Sequence, residues 1–213
     1  AADPRDRATR RARVAIRGSA PRRGPITRDR DRMTMSSIEP DAPADVEAHA
    51  PAEVIEGEDS VANFNLPPSA STRLVKIWLP HNCPIELIDL ELDAPWQPAE
   101  TVSPKWVHYG SSISHCEDAA SPIEVWPVAA AQSMGLSITN LGLGGCANLE
   151  QFAARTIRDL PADLISLKLG INVVNGANLT SRTFGPAVHG FIDTIRDKHA
   201  ETPILIISPI CSR

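Results

Sequence analysis

Three short apolar runs in the second half of this chain each end in a glycine-bearing turn. Trp106–Tyr109 runs into Gly110-Ser111-Ser112, Ser137–Leu143 into Gly142, Gly144 and Gly145, and Leu164–Leu169 into Gly170-Ile171-Asn172. Helical patterns lie between them. Val128–Met134 follows Pro127, which suits a first helical turn. Leu149, Phe152, Ala153 and Ile157 fall on one helical face behind Asn148, a residue type that caps helices. Val188, Phe191, Ile192 and Ile195 recur at i, i+3, i+4 and i+7. A fourth run, Pro203–Ile210, is nearly all apolar and reads as a strand covered on both faces. Strands alternating with helices predict a parallel α/β sheet between two helical layers, a three-layer α/β/α domain.

Ligands of such a sheet bind at the carboxyl ends of its strands, so the three turns are expected to converge on one crevice. A serine on a tight strand-to-helix turn exposes its hydroxyl, and neighbouring backbone N–H groups are placed to hold a developing oxyanion. An asparagine adds an uncharged amide donor. A glycine lets a backbone N–H come close.

The order Tyr-Gly-Ser-Ser-Ile-Ser (109–114), Asn-Leu-Gly-Leu-Gly-Gly (140–145) and Leu-Gly-Ile-Asn (169–172) resembles blocks I, II and III of the SGNH (GDSL-type) hydrolases. The likeness runs from about Thr72 to Ile210. It implies the flavodoxin-like fold of that family, with Ser112 as nucleophile and Gly145 and Asn172 as oxyanion donors, through a backbone N–H and a side chain respectively. The implied activity is hydrolysis of a small acyl ester, or transfer of its acyl group to another acceptor, without a cofactor. Ser111 stands where the family's Gly-Asp-Ser signature has aspartate, and Val173 replaces the second residue of the usual Asn-Asp pair.

A serine hydroxyl needs a neighbouring base to take its proton. The family supplies one from a late Asp-x-x-His block behind a fifth strand. That spacing occurs nowhere in this sequence, which reads as truncated ahead of the block and leaves an inactive fragment or binding module as a further reading. Of the six histidines, His49 falls in a linker and His81 in a turn. His108 precedes the nucleophile on its strand, and His189 and His199 belong to the third helix. His115, three residues after Ser112, is the tempting substitute, but helix geometry points it away from the hydroxyl toward a surface or packing role.

Upstream, the composition changes. Residues 1–32 hold 11 of the 21 basic residues against four acids, so the remainder carries net −12 within a total of −5. This basic stretch has neither aromatic residues for stacking on bases nor a helical face of arginines, so no nucleic-acid partner is expected. Met33 and Met35 stand where the composition shifts. Residues 1–32 therefore read either as sequence ahead of the true start or as a tail. Ser36 to about Ser71 is rich in Pro, Ala, Glu and Asp. The whole of 1–71 is thus expected to be disordered. Leu74–Leu79 and Ile85–Leu92 read as two strands. The pair is similar to the end of a small β-sandwich that precedes the catalytic domain in one branch of the family, a resemblance that implies a β segment at 72–103 ahead of the hydrolase domain at 104–213.

No apolar run is long enough to cross a membrane or to form the core of a signal peptide. The four cysteines lack CxxC spacing, which favours a reduced, cytoplasmic protein. No cluster has metal-ligand spacing, and nothing in the sequence marks an oligomeric state. Asn178-Leu179-Thr180 matches a glycosylation acceptor but reads as chance. The remote alternative is a dinucleotide-binding domain: Gly142-x-Gly144-x-x-Ala147 satisfies the Gly-x-Gly-x-x-Ala fingerprint, with Asp163 at the distance of a ribose-binding acid.

Overall fold

A computed structural model describes residues 10–18, 46–49, 59–66, 72, 74–83, 85–99 and 102–210. The chain divides into two compact units, 1–100 with 120–122, and 101–119 with 123–213.

The first unit is built of strands. β1 (Arg10–Gly18), β3 (Asp59–Leu66) and β5 (Ile85–Leu92) form an antiparallel sheet in the order β3-β1-β5, while β2 (Val46–His49) and β4 (Val75–Trp78) pair in parallel. The expectation of disorder across 1–71 therefore fails at 10–18, 46–49 and 59–66. The other residues of that span lie outside the described ones.

The reason is legible in β1 itself. Ala12, Val14 and Ile16 alternate with Arg13, Ala15 and Arg17, a period of two that puts Ala12, Val14 and Ile16 on one face. All three are at most 1% exposed. On the other face Arg13 donates to the Glu91 carboxylate at 3.0 Å, with Asp89 at 3.8 Å, and Arg17 lies 3.9 Å from Glu86. The basic arm is thus the central strand of a sheet whose neighbour β5 is acidic. Cross-strand register sets Arg13 opposite Glu91 and Arg17 opposite Glu86. Such exposed pairs are each worth only a few tenths of a kcal/mol to about 1 kcal/mol. They select a register more than they supply stability.

The second unit has a parallel sheet in the order β7-β6-β8-β9, formed by β6 (Lys105–Gly110), β7 (Ser137–Gly142), β8 (Leu164–Lys168) and β9 (Ile204–Ile207). Helices α1 (Ser112–His115) and α2 (Trp126–Ser133) connect β6 to β7. α3 (Gln151–Asp159) leads to β8, and α4 (Ile171–Gly176) and α5 (Ser181–Arg196) lead to β9. The chain steps one way from β6 to β7 and the other way thereafter. Right-handed crossovers then place α2 on one face and α3 and α5 on the other. Val107, Tyr109, Ile165 and Leu167 pack with Ala153, Ala154, Ile157, Phe191 and Ile195 in one buried core. The residues between them on the strands, Trp106, His108, Ser166 and Lys168, face the opposite way and are also buried. The three-layer α/β/α arrangement expected from the sequence is present.

Two local expectations change. α3 is capped by Glu150 rather than Asn148. Leu149 between them adopts a left-handed conformation (φ 64°), so the helix cannot begin until Gln151, and its buried face is Ala153, Ala154 and Ile157 while Phe152 is exposed. β9 pairs only with β8 among the described residues, and Leu205 and Ile206, on opposite faces, are each more than half exposed. Both faces of β9 are thus open among the described residues, where its apolar composition predicts cover on each.

Candidate active site

The site begins where β6 stops. Ser111, fully buried, caps α1 by accepting the Ile113 N–H on its hydroxyl, and its carbonyl accepts from Ser114 and His115. A short polar side chain at the cap position is what the family's aspartate also offers, so Ser111 meets the local need. Ser112 is the first residue of α1 and is exposed.

Block II folds directly onto this helix. Leu143 N–H donates to Gly110 O at 2.8 Å. A Cβ at Gly142 would overlap the His115 backbone, so only glycine permits this approach. Gly145 is exposed and adopts φ +72°, a backbone state that L side chains rarely take. His115 packs on this loop, with its Nδ1 about one van der Waals contact from where a Gly144 Cβ would sit.

Block III joins through Asn172. Its Oδ1 accepts the Ala147 N–H at 3.0 Å, and Asn178 Nδ2 donates to both Asn148 Oδ1 (2.9 Å) and Asn172 O (3.4 Å). Asn178, the nominal glycosylation acceptor, is therefore a tie between the second and third turns. A second tie runs from β6. Tyr109 donates its hydroxyl to Glu150 at 2.7 Å and accepts the Leu149 N–H at 3.1 Å, and Glu150 also accepts the Asn148 N–H at 2.7 Å. Burial, reinforced by the Glu150 carboxylate, holds the Tyr109 phenol well above its ordinary range. The three turns are thus connected by hydrogen bonds from I to II and from II to III.

Sequence reasoning missed the layer beneath α1. His108, fully buried, lies with Nδ1 2.6 Å from Ser166 Oγ and Nε2 2.7 Å from Ser114 Oγ. Burial, with Lys168 adding to it, lowers this imidazole from 6.5 to about 4. Its partners are 58 and six residues away, a relation that no local spacing announces.

The remaining histidines described by side chain are elsewhere. His199 bonds Leu160 O and Thr202 Oγ1, before β8 and β9 and so at the opposite end of the sheet, and His189 is exposed on α5. Asp163 sits at that same opposite end, accepting the Lys105 N–H at 2.8 Å. It is not placed to meet a ribose at the glycine turns, and α3 starts four residues after Ala147 instead of on the loop. Neither half of the dinucleotide fingerprint has its required context. Among the described residues no three of His, Cys, Asp and Glu gather as a metal-binding group, and no helix is long and apolar enough to cross a membrane.

Comparison with known proteins agrees with this geometry. The GDSL-like lipase/acylhydrolase family matches residues 104–212. Among solved structures, the salicylyl-acyltransferase SsfX3 from a tetracycline biosynthetic pathway is 25% identical with a TM-score of 0.61, over 92% of this chain and 56% of its own. A putative GDSL-like lipase from Bacteroides ovatus is 16% identical (TM-score 0.56; 94% of this chain, 58% of that one). A family two carbohydrate esterase from Clostridium thermocellum, in complex with cellohexaose, is 11% identical (TM-score 0.59; 96% and 71%) and is alike in fold alone. The chain thus spans a little over half the length of the first two. No curated protein matches. With the sheet order, the three tied turns and the family match over 104–212 in agreement, this chain belongs to the GDSL-like lipase/acylhydrolase family.

Proposed function

We propose that this chain carries the nucleophile and oxyanion-binding half of a serine ester hydrolase. Ser112 attacks the acyl carbon, and the Gly145 N–H and Asn172 Nδ2 receive the charge that develops on the carbonyl oxygen. The observation that carries this reading is the Ala147–Asn172 hydrogen bond. It occupies the amide oxygen and leaves the Nδ2 end as the donor, beside a loop whose Gly145 is exposed. The substrate class is a small acyl ester. No Asp-x-x-His occurs in the sequence, and both ring nitrogens of His108 are bonded to serines other than Ser112, so this reading gives the chain binding and polarisation of the ester and leaves the base unassigned.

A second reading is acyl transfer to an alcohol other than water, and the 25% identity to SsfX3 favours it. The chemistry up to the acyl-enzyme is the same, and only the acceptor differs.

The test is covalent labelling with a fluorophosphonate, read by intact mass and peptide mapping. We expect modification at Ser112 that is absent in Ser112→Ala, and p-nitrophenyl acetate turnover only slightly above background. Labelling that persists in Ser112→Ala would overturn the assignment. With Ser112 shown to be the labelled residue, acetyl transfer by the unlabelled chain from p-nitrophenyl acetate to an added alcohol, exceeding hydrolysis, would select the transferase.

A further inference from the structure

An imidazole buried in a core is costly unless both ring nitrogens are bonded. His108 satisfies both with serines on two other elements, Ser166 on β8 and Ser114 on α1. Trp106 Nε1, which can only donate, gives its proton to Ser166 Oγ at 2.8 Å. In either neutral tautomer one serine donates to the ring and the ring donates to the other serine, so both ring nitrogens are bonded. Trp106 and Trp126 enclose the ring edge-on, with centroids 5.7 and 5.0 Å away.

What this chain of bonds holds is a single turn of helix. Four residues are far too few to persist as a helix unaided, yet α1 presents Ser112. Its carbonyls are also held from outside: Trp126 Nε1 donates to Ile113 O and Asn140 Nδ2 to Ser114 O, each at 2.8 Å. α1 is therefore fixed from β6, β7 and α2, and His108 is the contact that reaches it from within the core.

We propose that His108 is a positioning residue for Ser112, acting through its bond to Ser114 on the helix that presents the nucleophile. This rests on the reading of Ser112 as nucleophile. Loss of the Ser114 bond frees α1 to shift, and displacements of about 1 Å at a reacting group cost up to about a hundredfold in rate.

The test uses the full chain with His108→Phe, which keeps a ring but no bond, and with His108→Gln and His108→Asn. Glutamine reaches toward Ser114 with its amide, and asparagine only toward Ser166. Two readouts are taken: the fluorophosphonate labelling rate at Ser112, and hydrogen exchange of the Ser114, His115 and Cys116 amides against those of Ile165 and Leu169. In His108→Phe we expect labelling to slow at least about tenfold and the α1 amides to exchange about tenfold faster while the β8 references hold. His108→Gln is expected to lie nearer wild type than His108→Asn in both. Unchanged α1 exchange and labelling in a folded His108→Phe overturns the proposal. If His108→Phe does not fold, equal behaviour of the glutamine and asparagine variants overturns it. If labelling falls on a residue other than Ser112, the nucleophile reading fails, and if the wild type is not labelled at all there is no rate to compare; in both cases the exchange data alone decide whether His108 holds α1.

Discussion

The side-chain oxygen of Asn172 accepts the backbone N–H of Ala147 at 3.0 Å, so the amide that follows β8 is oriented by the loop that follows β7. Asn172→Ala removes the donor and frees the loop. We expect the rate of any ester cleavage, or of Ser112 labelling, to fall about 10²–10³-fold, the usual cost of one oxyanion donor. Asn172→Asp is the sharper variant. A carboxylate still accepts from Ala147 but offers the oxyanion a negative charge, so it should be no better than alanine. A rate in Asn172→Asp near wild type would show that Nδ2 does not face the reacting oxygen.

His108 links the site to pH. Its folded-state value is lowered from 6.5 to about 4 by burial and by the neighbouring Lys168 on β8. Between those values the unfolded chain binds a proton that the folded one refuses. The neutral imidazole's contribution is thus fully present above pH 6.5 and is lost as pH falls toward 4. Over that window the loss is on the order of 3 kcal/mol. Asp159, held down by Arg158 and Lys198, adds its own slope only below its ordinary value of 3.8. Urea titrations at pH 7, 6, 5 and 4.5 should show the decline in wild type and a flatter profile in His108→Gln. Parallel profiles would place the titration elsewhere.

The sheet of the second unit was legible because each of its strands is short, apolar and closed by a glycine or a proline. Ser112, Gly145 and Asn172 stood out as candidates because they lie in order on three successive strand-end turns. β1 was not, although its alternation of arginine with Ala12, Val14 and Ile16 is a strand pattern. Its arginines dominate the composition of the segment, and Ala15 between Val14 and Ile16 blurs the period of two. The network at His108 was closed to sequence reading for a different reason. Its meaning depends on Ser166 lying opposite it across β8, and register is a tertiary fact.

Tyr109 joins β6 to the oxyanion loop, donating to Glu150 and accepting from Leu149. Tyr109→Phe keeps the ring against Phe191 but leaves the Leu149 N–H and the Glu150 carboxylate short of a partner. We expect a loss of about 1–3 kcal/mol by urea denaturation. The sign with pH is also fixed. The folded phenol is raised, so wild-type stability is complete below its ordinary value of 10 and declines as pH rises past it. Tyr109→Phe should abolish that alkaline decline.

Leu205 and Ile206 leave apolar surface exposed on both faces of the edge strand β9. Such edges invite association between chains. Leu205→Lys and Ile206→Lys should each raise the concentration at which light scattering by the chain sets in, with melting temperature changed by no more than a few degrees. A large drop in melting temperature would mean that these side chains are packed in solution.

A chain beginning at Met33 tests the place of the basic arm. β1 is the central strand of its sheet, bonded to β3 on one side and β5 on the other, with Ala12, Val14 and Ile16 buried. Removing it leaves β3 and β5 without their common neighbour and uncovers the apolar face around Leu66 and Leu92. Isolated strands do not persist in water. We therefore expect the shortened chain to lose protection of the β3 and β5 amides in hydrogen exchange and to bind a hydrophobic dye. Its β6–β9 sheet, whose core of Val107, Ile165 and Leu167 is supplied by its own helices, should stay protected. Val14→Asp in the full-length chain should produce the same pattern, because a carboxylate in that buried position carries several kcal/mol of desolvation cost. Unchanged protection in both variants would mean that β1 is dispensable to the first unit.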